Sequence, residues 1–168
     1  GVSINGALIG TRRLYDFAHK NSAIRMTPAS YTHDAGVLAR LSRLVTINSA
    51  LEVDLTGQVN AEQSGATYLG GTGGQVDFIR AGARSPGGAS LIVLAATAKG
   101  GTISKIVPSL SGPVTTARSE VDVIVTEFGA AELKGQPIAE RTRRLIAIAH
   151  PDFREDLSRA AYDMQKRG

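Results

Sequence analysis

Three runs rich in branched apolar residues constrain what this chain can become. They are Leu44–Leu55 (LVTINSALEVDL), Ser90–Thr97 (SLIVLAAT) and Val121–Thr126 (VDVIVT). Short runs of this kind pack as strands. In the first, Leu44, Thr46, Asn48 and Ala50 alternate with Val45, Ile47, Ser49 and Leu51, and both sets are mostly apolar or small. That pattern predicts a strand buried on both faces. Shorter strands are predicted at Val2–Ile9, Ile24–Met26, Gln58–Glu62 and Ile103–Val107, with Thr56-Gly57 as a hairpin turn. Segments with helical spacing lie between them. Thr11 caps a predicted helix to Lys20, with Leu14, Phe17 and Ala18 on one face. His33 or Asp34 caps another to about Arg43. A third follows Gly74 and carries Phe78, Ile79 and Ala83. Pro137, near a first helical position, opens a fourth with Ile138, Leu145, Ile146 and Ile148. His150-Pro151-Asp152 breaks it, and Phe153, Leu157, Ala161 and Met164 line a fifth. Strands interleaved with helices predict an α/β domain built on an open mixed sheet with flanking helices.

Composition narrows the function classes. The chain has 168 residues, 42% of them hydrophobic, which suits one domain with a sizeable core. It has no cysteine, which excludes a disulfide scaffold, thiolate metal sites and a cysteine nucleophile. No apolar run approaches the ~20 residues of a membrane span. No leader pattern is visible, so a cytoplasmic protein without membrane attachment is expected. Gly1 stands where a Met would begin a chain, so a trimmed chain or a piece of a longer one is expected. The net charge is +4, with the basic excess at both ends and a slightly acidic glycine-rich middle. Solvated helix faces account for such a distribution, and attraction for an anionic ligand is the functional alternative. Nucleic acid is disfavoured, because no Lys/Arg run or basic-aromatic platform is present.

Most familiar site patterns are missing. Gly71-Thr72-Gly73 begins a dinucleotide fingerprint, but Val76 stands where the third Gly belongs. Lys99-Gly100-Gly101 runs in the wrong order for a phosphate loop. No Gly-x-Ser-x-Gly elbow exists, and His19, His33 and His150 lack metal-ligand spacing. What remains is Gly70–Gly74 opening a helix. Glycine lets backbone N–H groups approach a ligand, and a helix start adds unpaired donors and positive potential. That suits an oxyanion or a thioester carbonyl. A tight turn needing positive φ is the plain alternative. Glu127, at the carboxyl end of a strand, is the second candidate, since α/β folds place ligands there. Its plain alternative is an exposed strand-end carboxylate.

Five motifs, in order, carry a resemblance. They are Ile47–Asn60 (INSALEVDLTGQVN), Gly73–Phe78 (GGQVDF), Ile103–Pro108 (ISKIVP), Val125–Gly129 (VTEFG) and Ala149–Phe153 (AHPDF). Together they resemble the acetyl-CoA hydrolase/transferase family, nearest in pattern to its 4-hydroxybutyrate CoA-transferase branch. The resemblance covers nearly all of residues 1–168 but only the C-terminal part of the family's length. It implies a CoA-transferase-like α/β domain, with acyl-CoA and a small carboxylate as substrates and no permanently bound cofactor. It also implies covalent catalysis by a glutamate through a glutamyl-CoA thioester. That glutamate matches nothing in this chain, so the resemblance assigns it to an N-terminal domain absent here and expects the chain alone to be inactive. It implies oxyanion donation from Gly74 with Gly73 beside it. It implies an orienting role for Glu127, and CoA or substrate contacts at Gly71, Lys105, Asn48 and His33. At His33 many relatives carry Asn. The N-terminal half of the same enzyme and further copies of it are the expected partners. An acetyl-CoA hydrolase of the same family, or a non-catalytic domain binding an anionic ligand, are the alternatives.

Overall fold

The computed structural model describes residues 1–166. The chain divides into two units, Gly1–Leu41 and Ser42–Gly168. In the first, β1 (Ser3–Asn5) pairs in parallel with β2 (Ile24–Met26) across α1 (Arg12–Ala18). Two single-turn helices follow, α2 (Ala29–Thr32) and α3 (Ala35–Leu38). The strand expected over Val2–Ile9 is confined to three residues, where pairing ends with Thr27 N–H on Asn5 O. Thr11 precedes α1 without a side-chain cap bond, whereas Asp34 Oδ1 accepts from Val37 N–H at 2.7 Å. The helix expected to reach Arg43 stops at Leu38. The next two bonds, Arg40 N–H to Val37 O and Leu41 N–H to Leu38 O, span three residues and tighten the last turn.

In the second unit the chain runs β3 (Val45–Ser49), β4 (Glu52–Asp54), β5 (Val59–Asn60), β6 (Gln63–Ser64), β7 (Thr67–Tyr68), α4 (Gln75–Arg84), β8 (Ala89–Val93), β9 (Thr97–Ala98), β10 (Ile103–Ser104), β11 (Ile106–Val107), β12 (Val123–Thr126), β13 (Gly129–Glu132), α5 (Ile138–Ala147) and α6 (Arg154–Lys166). A four-stranded sheet is ordered β13-β12-β8-β3, with β3, β8 and β12 parallel and β13 antiparallel at one edge. A smaller sheet, β11-β4-β5, contains the hairpin predicted at Thr56-Gly57, where Gly57 takes φ +91°. The architecture is α/β with an open mixed sheet and flanking helices.

Several predicted strands are divided. Leu44–Leu55 breaks after Ser49, and its second part joins the smaller sheet. The break is held by Leu51 N–H on Asn60 O and by Lys105 Nζ on Ala50 O. Ile103–Val107 divides at Lys105, whose N–H turns aside to Ala96 O. Ser90–Thr97 ends as a sheet strand at Val93, and Thr97 pairs with Ser104 instead.

One face of the main sheet carries the core. Asn48, Ile92, Ile124 and Ala131 form one cross-strand row, and the last three are buried. Ile79 of α4, Leu145 of α5, Leu157 of α6 and Val53, Val59 and Ile106 of the smaller sheet close over that face. The other face departs from expectation. Val45 is 57% and Ile47 69% exposed, so β3 is buried on one side only.

Helix α4 approaches β3 and β8 closely through Gly82. A Cβ there would lie 2.6 Å from Thr46 Oγ1 and 2.7 Å from Ala89 O. Alanine gains up to ~1 kcal/mol of helix propensity over glycine. Overpacking costs typically 1–3 kcal/mol, and one of these neighbours is backbone. We expect Gly82→Ala to lower the unfolding free energy by about 1 kcal/mol in urea titration. A stabilised variant would show that the helix can move outward freely.

Candidate functional site

The three parallel strands β3, β8 and β12 end together at Ser49, Val93 and Thr126. Because α4 precedes β8 and lies on β3 and β8, its first turn reaches this same carboxyl edge. Gln75, the first helical residue, fixes the junction: its Nε2 donates to Ser49 O at 2.7 Å. The loop before it is exposed from Gly65 to Gly73. Gly73 takes φ +56°, a left-handed conformation that favours glycine, and Gly74 is the N-cap at φ −96°, ψ 12°. Space is open around Gly70, Gly71 and Gly73.

Glu127 follows β12 directly. Its Oε2 accepts from Ala96 N–H at 2.8 Å, while its remaining surface is exposed. Hydrogen bonding to its own backbone N–H, then to Ala96 N–H, holds the carboxyl below the usual range against some desolvation. The charges of His150 and Lys105 push the same way. Lys105 sits on the other side of Ala96. Its N–H donates to Ala96 O at 2.8 Å and its Nζ to Ala50 O at 2.9 Å. Partial burial lowers the Lys105 ammonium from its ordinary value, and the Glu127 charge opposes that shift. Ser49, Ala50, Ala96, Lys105 and Glu127 thus form one chain of contacts along the edge, with Gln75 at its end.

A depressed folded-state carboxyl contributes stability above its unfolded pKa, and loses it as pH falls through the folded value. We expect a side-chain 13C titration to place the Glu127 midpoint below that of an unperturbed glutamate. A midpoint at or above the ordinary value would mean that the Ala96 bond does not persist in solution.

Asn48 is half-buried, and its Nδ2 is buried without a hydrogen-bond partner among the described residues. It stands on the helix-facing side of β3, one residue before the Ser49 carbonyl that holds Gln75. Thr46 Oγ1 and Ser90 Oγ share that condition deeper under the helix, around Gly82. His33 belongs to the first unit, where its Nδ1 pairs with Thr32 Oγ1 at 2.8 Å.

Two contributors to this edge have little signal in the sequence. His150 reads as a capping or surface residue, and its Nδ1 does accept from Asp152 N–H at 3.3 Å. Its ring also stands edge-on to Phe128, with centroids 5.3 Å apart, and its charge acts on Glu127. Thr116 lies outside all five motifs, yet its Oγ1 donates to Gln75 Oε1 at 2.8 Å. Only the adjacency of Gln75 to the glycines hints at such a bracket. Among the described residues no cluster of His, Asp and Glu could hold a metal ion. No helix there is long and apolar enough to cross a membrane.

Known proteins are similar to this chain in sequence and fold. The chain is 45% identical over 168 residues to a succinyl-CoA:cyclohexane-1-carboxylate CoA transferase of Geobacter metallireducens, covering 99% of this chain and 38% of that protein. It is 45% identical over 152 residues to a 4-hydroxybutyrate coenzyme A transferase of Clostridium kluyveri, covering 89% and 35%. The crystal structure of RipA from Yersinia pestis superposes with a TM-score of 0.91 at 41% identity, covering 98% of this chain and 38% of that one. The chain therefore spans little more than a third of the length of these relatives. Residues 10–161 match the acetyl-CoA hydrolase/transferase C-terminal domain, and the chain belongs to that family.

Proposed function

We propose that this chain supplies the C-terminal wall of the active site in a longer acyl-CoA:carboxylate CoA-transferase. The observation that carries the reading is the meeting, at one carboxyl edge, of a glycine-opened helix start, an unpaired buried amide donor and the Lys105–Ala96–Glu127 chain. The Geobacter metallireducens and Clostridium kluyveri relatives are CoA transferases by name, which favours transfer over hydrolysis. The exposed apolar residues Val45 and Ile47 on the open sheet face suit cover by the remainder of the longer polypeptide.

The chemistry divides between the two parts. A glutamate outside this chain attacks the thioester carbonyl, and the C–S bond breaks to release CoA thiolate and leave an acyl-glutamyl anhydride. The thiolate attacks the glutamyl carbonyl, expelling the first carboxylate and forming a glutamyl-CoA thioester. The acceptor carboxylate then reverses both steps. Each addition places negative charge on a carbonyl oxygen. Amides at Gly73 and Gly74 meet that charge, reinforced by the start of α4. Asn48 Nδ2 is a further donor near the same point. Glu127, its Oε2 already held by Ala96 N–H, orients the incoming group, which suits positioning rather than nucleophilic attack. Lys105 uses one of its three ammonium donors on Ala50 O and keeps two for a CoA carbonyl or phosphate. Gly71 gives the CoA arm close access to backbone.

The test is CoA exchange between an acyl-CoA and a free carboxylate, followed with the full-length enzyme and with this chain alone. Transfer by the full-length enzyme and none by the chain is expected. Turnover by the chain itself would place the nucleophile among its own residues. Thioester loss independent of the carboxylate would make the enzyme a hydrolase.

A further inference from the structure

We propose that Gln75 is a positioning residue that sets the direction of the glycine-loop amides. The inference rests on the reading of that loop as an oxyanion element. Gly70–Gly73 carry no hydrogen bond among the described residues, and Gly74 only the first helical one, its carbonyl accepting from Phe78 N–H. The segment is held at its two ends. Upstream, Leu69 N–H donates to Glu62 O at 2.8 Å. Downstream, the Gln75 amide uses both of its heteroatoms, Nε2 on Ser49 O at 2.7 Å and Oε1 from Thr116 Oγ1 at 2.8 Å. Gln75 is 9% exposed and Thr116 1% exposed. Thr116 is itself locked, since its N–H donates to Val59 O and its carbonyl accepts from Val59 N–H. The amide therefore joins the end of β3, the start of α4 and the segment bridged to β5. Its neighbour Gly74 inherits that placement through one peptide bond.

Donors act in catalysis only where they already point at the developing charge, and a displacement of about 1 Å costs on the order of 100-fold. Gln75→Met keeps the length of the side chain and removes both bonds. In the full-length enzyme it should lower kcat by about 100-fold while the KM for acyl-CoA changes less than about threefold, the signature of an interaction made in the transition state. Thr116→Val removes one bond with almost no change in shape and should lower kcat by about 10-fold. Gln75→Glu forms both bonds only when protonated, so its kcat relative to the parent should rise as pH falls. A folded Gln75→Met enzyme with parental kcat, or with a change in KM alone, overturns the proposal. Where Gln75→Met does not fold, parental kcat in Thr116→Val overturns it. Gly74→Ala separates the two levels. If it is silent, the loop reading itself fails. If it lowers kcat while Gln75→Met does not, only the positioning role fails.

Discussion

Gly74→Ala in the full-length enzyme is expected to lower kcat by about 100-fold, with little change in the KM for acyl-CoA and little change in stability. Gly74 takes φ −96° and ψ 12°, which alanine adopts without strain, so the backbone itself accepts the substitution. Alanine keeps the N–H, and we expect its methyl group to deny the reacting carbonyl oxygen access to that donor. Losing one preorganised donor costs about 100- to 1,000-fold in turnover, or about 3–4 kcal/mol. Gly73→Ala is the contrasting case. Its φ of +56° is left-handed, and a side chain there costs ~1–2 kcal/mol although open space surrounds it. That substitution should lower both turnover and thermal stability. Steady-state kinetics with a melting curve separates the two. Parental rates for both variants would leave the glycines with no task beyond turning the chain.

The helix behind these glycines was legible because its apolar spacing and its glycine start agree. The strand runs were legible as strands, but their lengths were not. Leu44–Leu55 is uniformly strand-like, and nothing local marks the break after Ser49. The break is set from a distance, by Asn60 O on Leu51 N–H and Lys105 Nζ on Ala50 O. Asn60 belongs to β5 and Lys105 lies between β10 and β11, so the information sits in tertiary contacts. Burial on one face alone is likewise set by tertiary cover. Val45 and Ile47 read as core residues, yet the described chain covers only the opposite side. The short hairpin of β6 and β7 carries no apolar alternation to read.

The candidate site divides similarly. Gly73, Gly74, Lys105 and Glu127 are picked out by sequence, and the strand ends bring Lys105 and Glu127 to either side of Ala96. What the sequence did not show is who holds them. Thr116 is 41 residues from Gln75, and Glu127 is 31 from Ala96. No periodicity spans such separations. Asn48 is a partial exception. It is the polar member of a cross-strand row whose other members are Ile92, Ile124 and Ala131, and an amide among apolar positions signals a purpose.

The run Glu52–Asn60 invites a chemical reading, and the structure gives it a scaffolding one. Asp54 is 3% exposed. Its Oδ1 accepts from Thr56 N–H, Thr56 Oγ1 and Gln58 N–H, and its Oδ2 from Gln58 Nε2, all between 2.7 and 3.0 Å. Arg141 reaches the same turn, donating to Thr56 O and Arg118 O from α5. Asp54→Ala leaves two backbone N–H groups and a hydroxyl without acceptors in a half-buried turn. An unsatisfied buried donor costs about 1–3 kcal/mol, and bonds to a charged acceptor stand at the upper end. We expect a loss of about 3–4 kcal/mol in unfolding free energy, a large share of an ordinary domain's stability of 5–15 kcal/mol. Asp54→Asn should cost only about 1 kcal/mol. Its Oδ1 keeps the three bonds, and the Gln58 amide can turn its own oxygen toward the new Nδ2, giving up only its long 3.5 Å bond from Arg118 Nη2. In the full-length enzyme at a temperature where Asp54→Asn remains folded, kcat should stay within about twofold of the parent, since the carboxylate faces the turn and no substrate. A tenfold loss of kcat in folded Asp54→Asn would return this residue to the chemistry. Equal unfolding costs for the Asn and Ala variants would show that charge, rather than the geometry of acceptance, holds the hairpin.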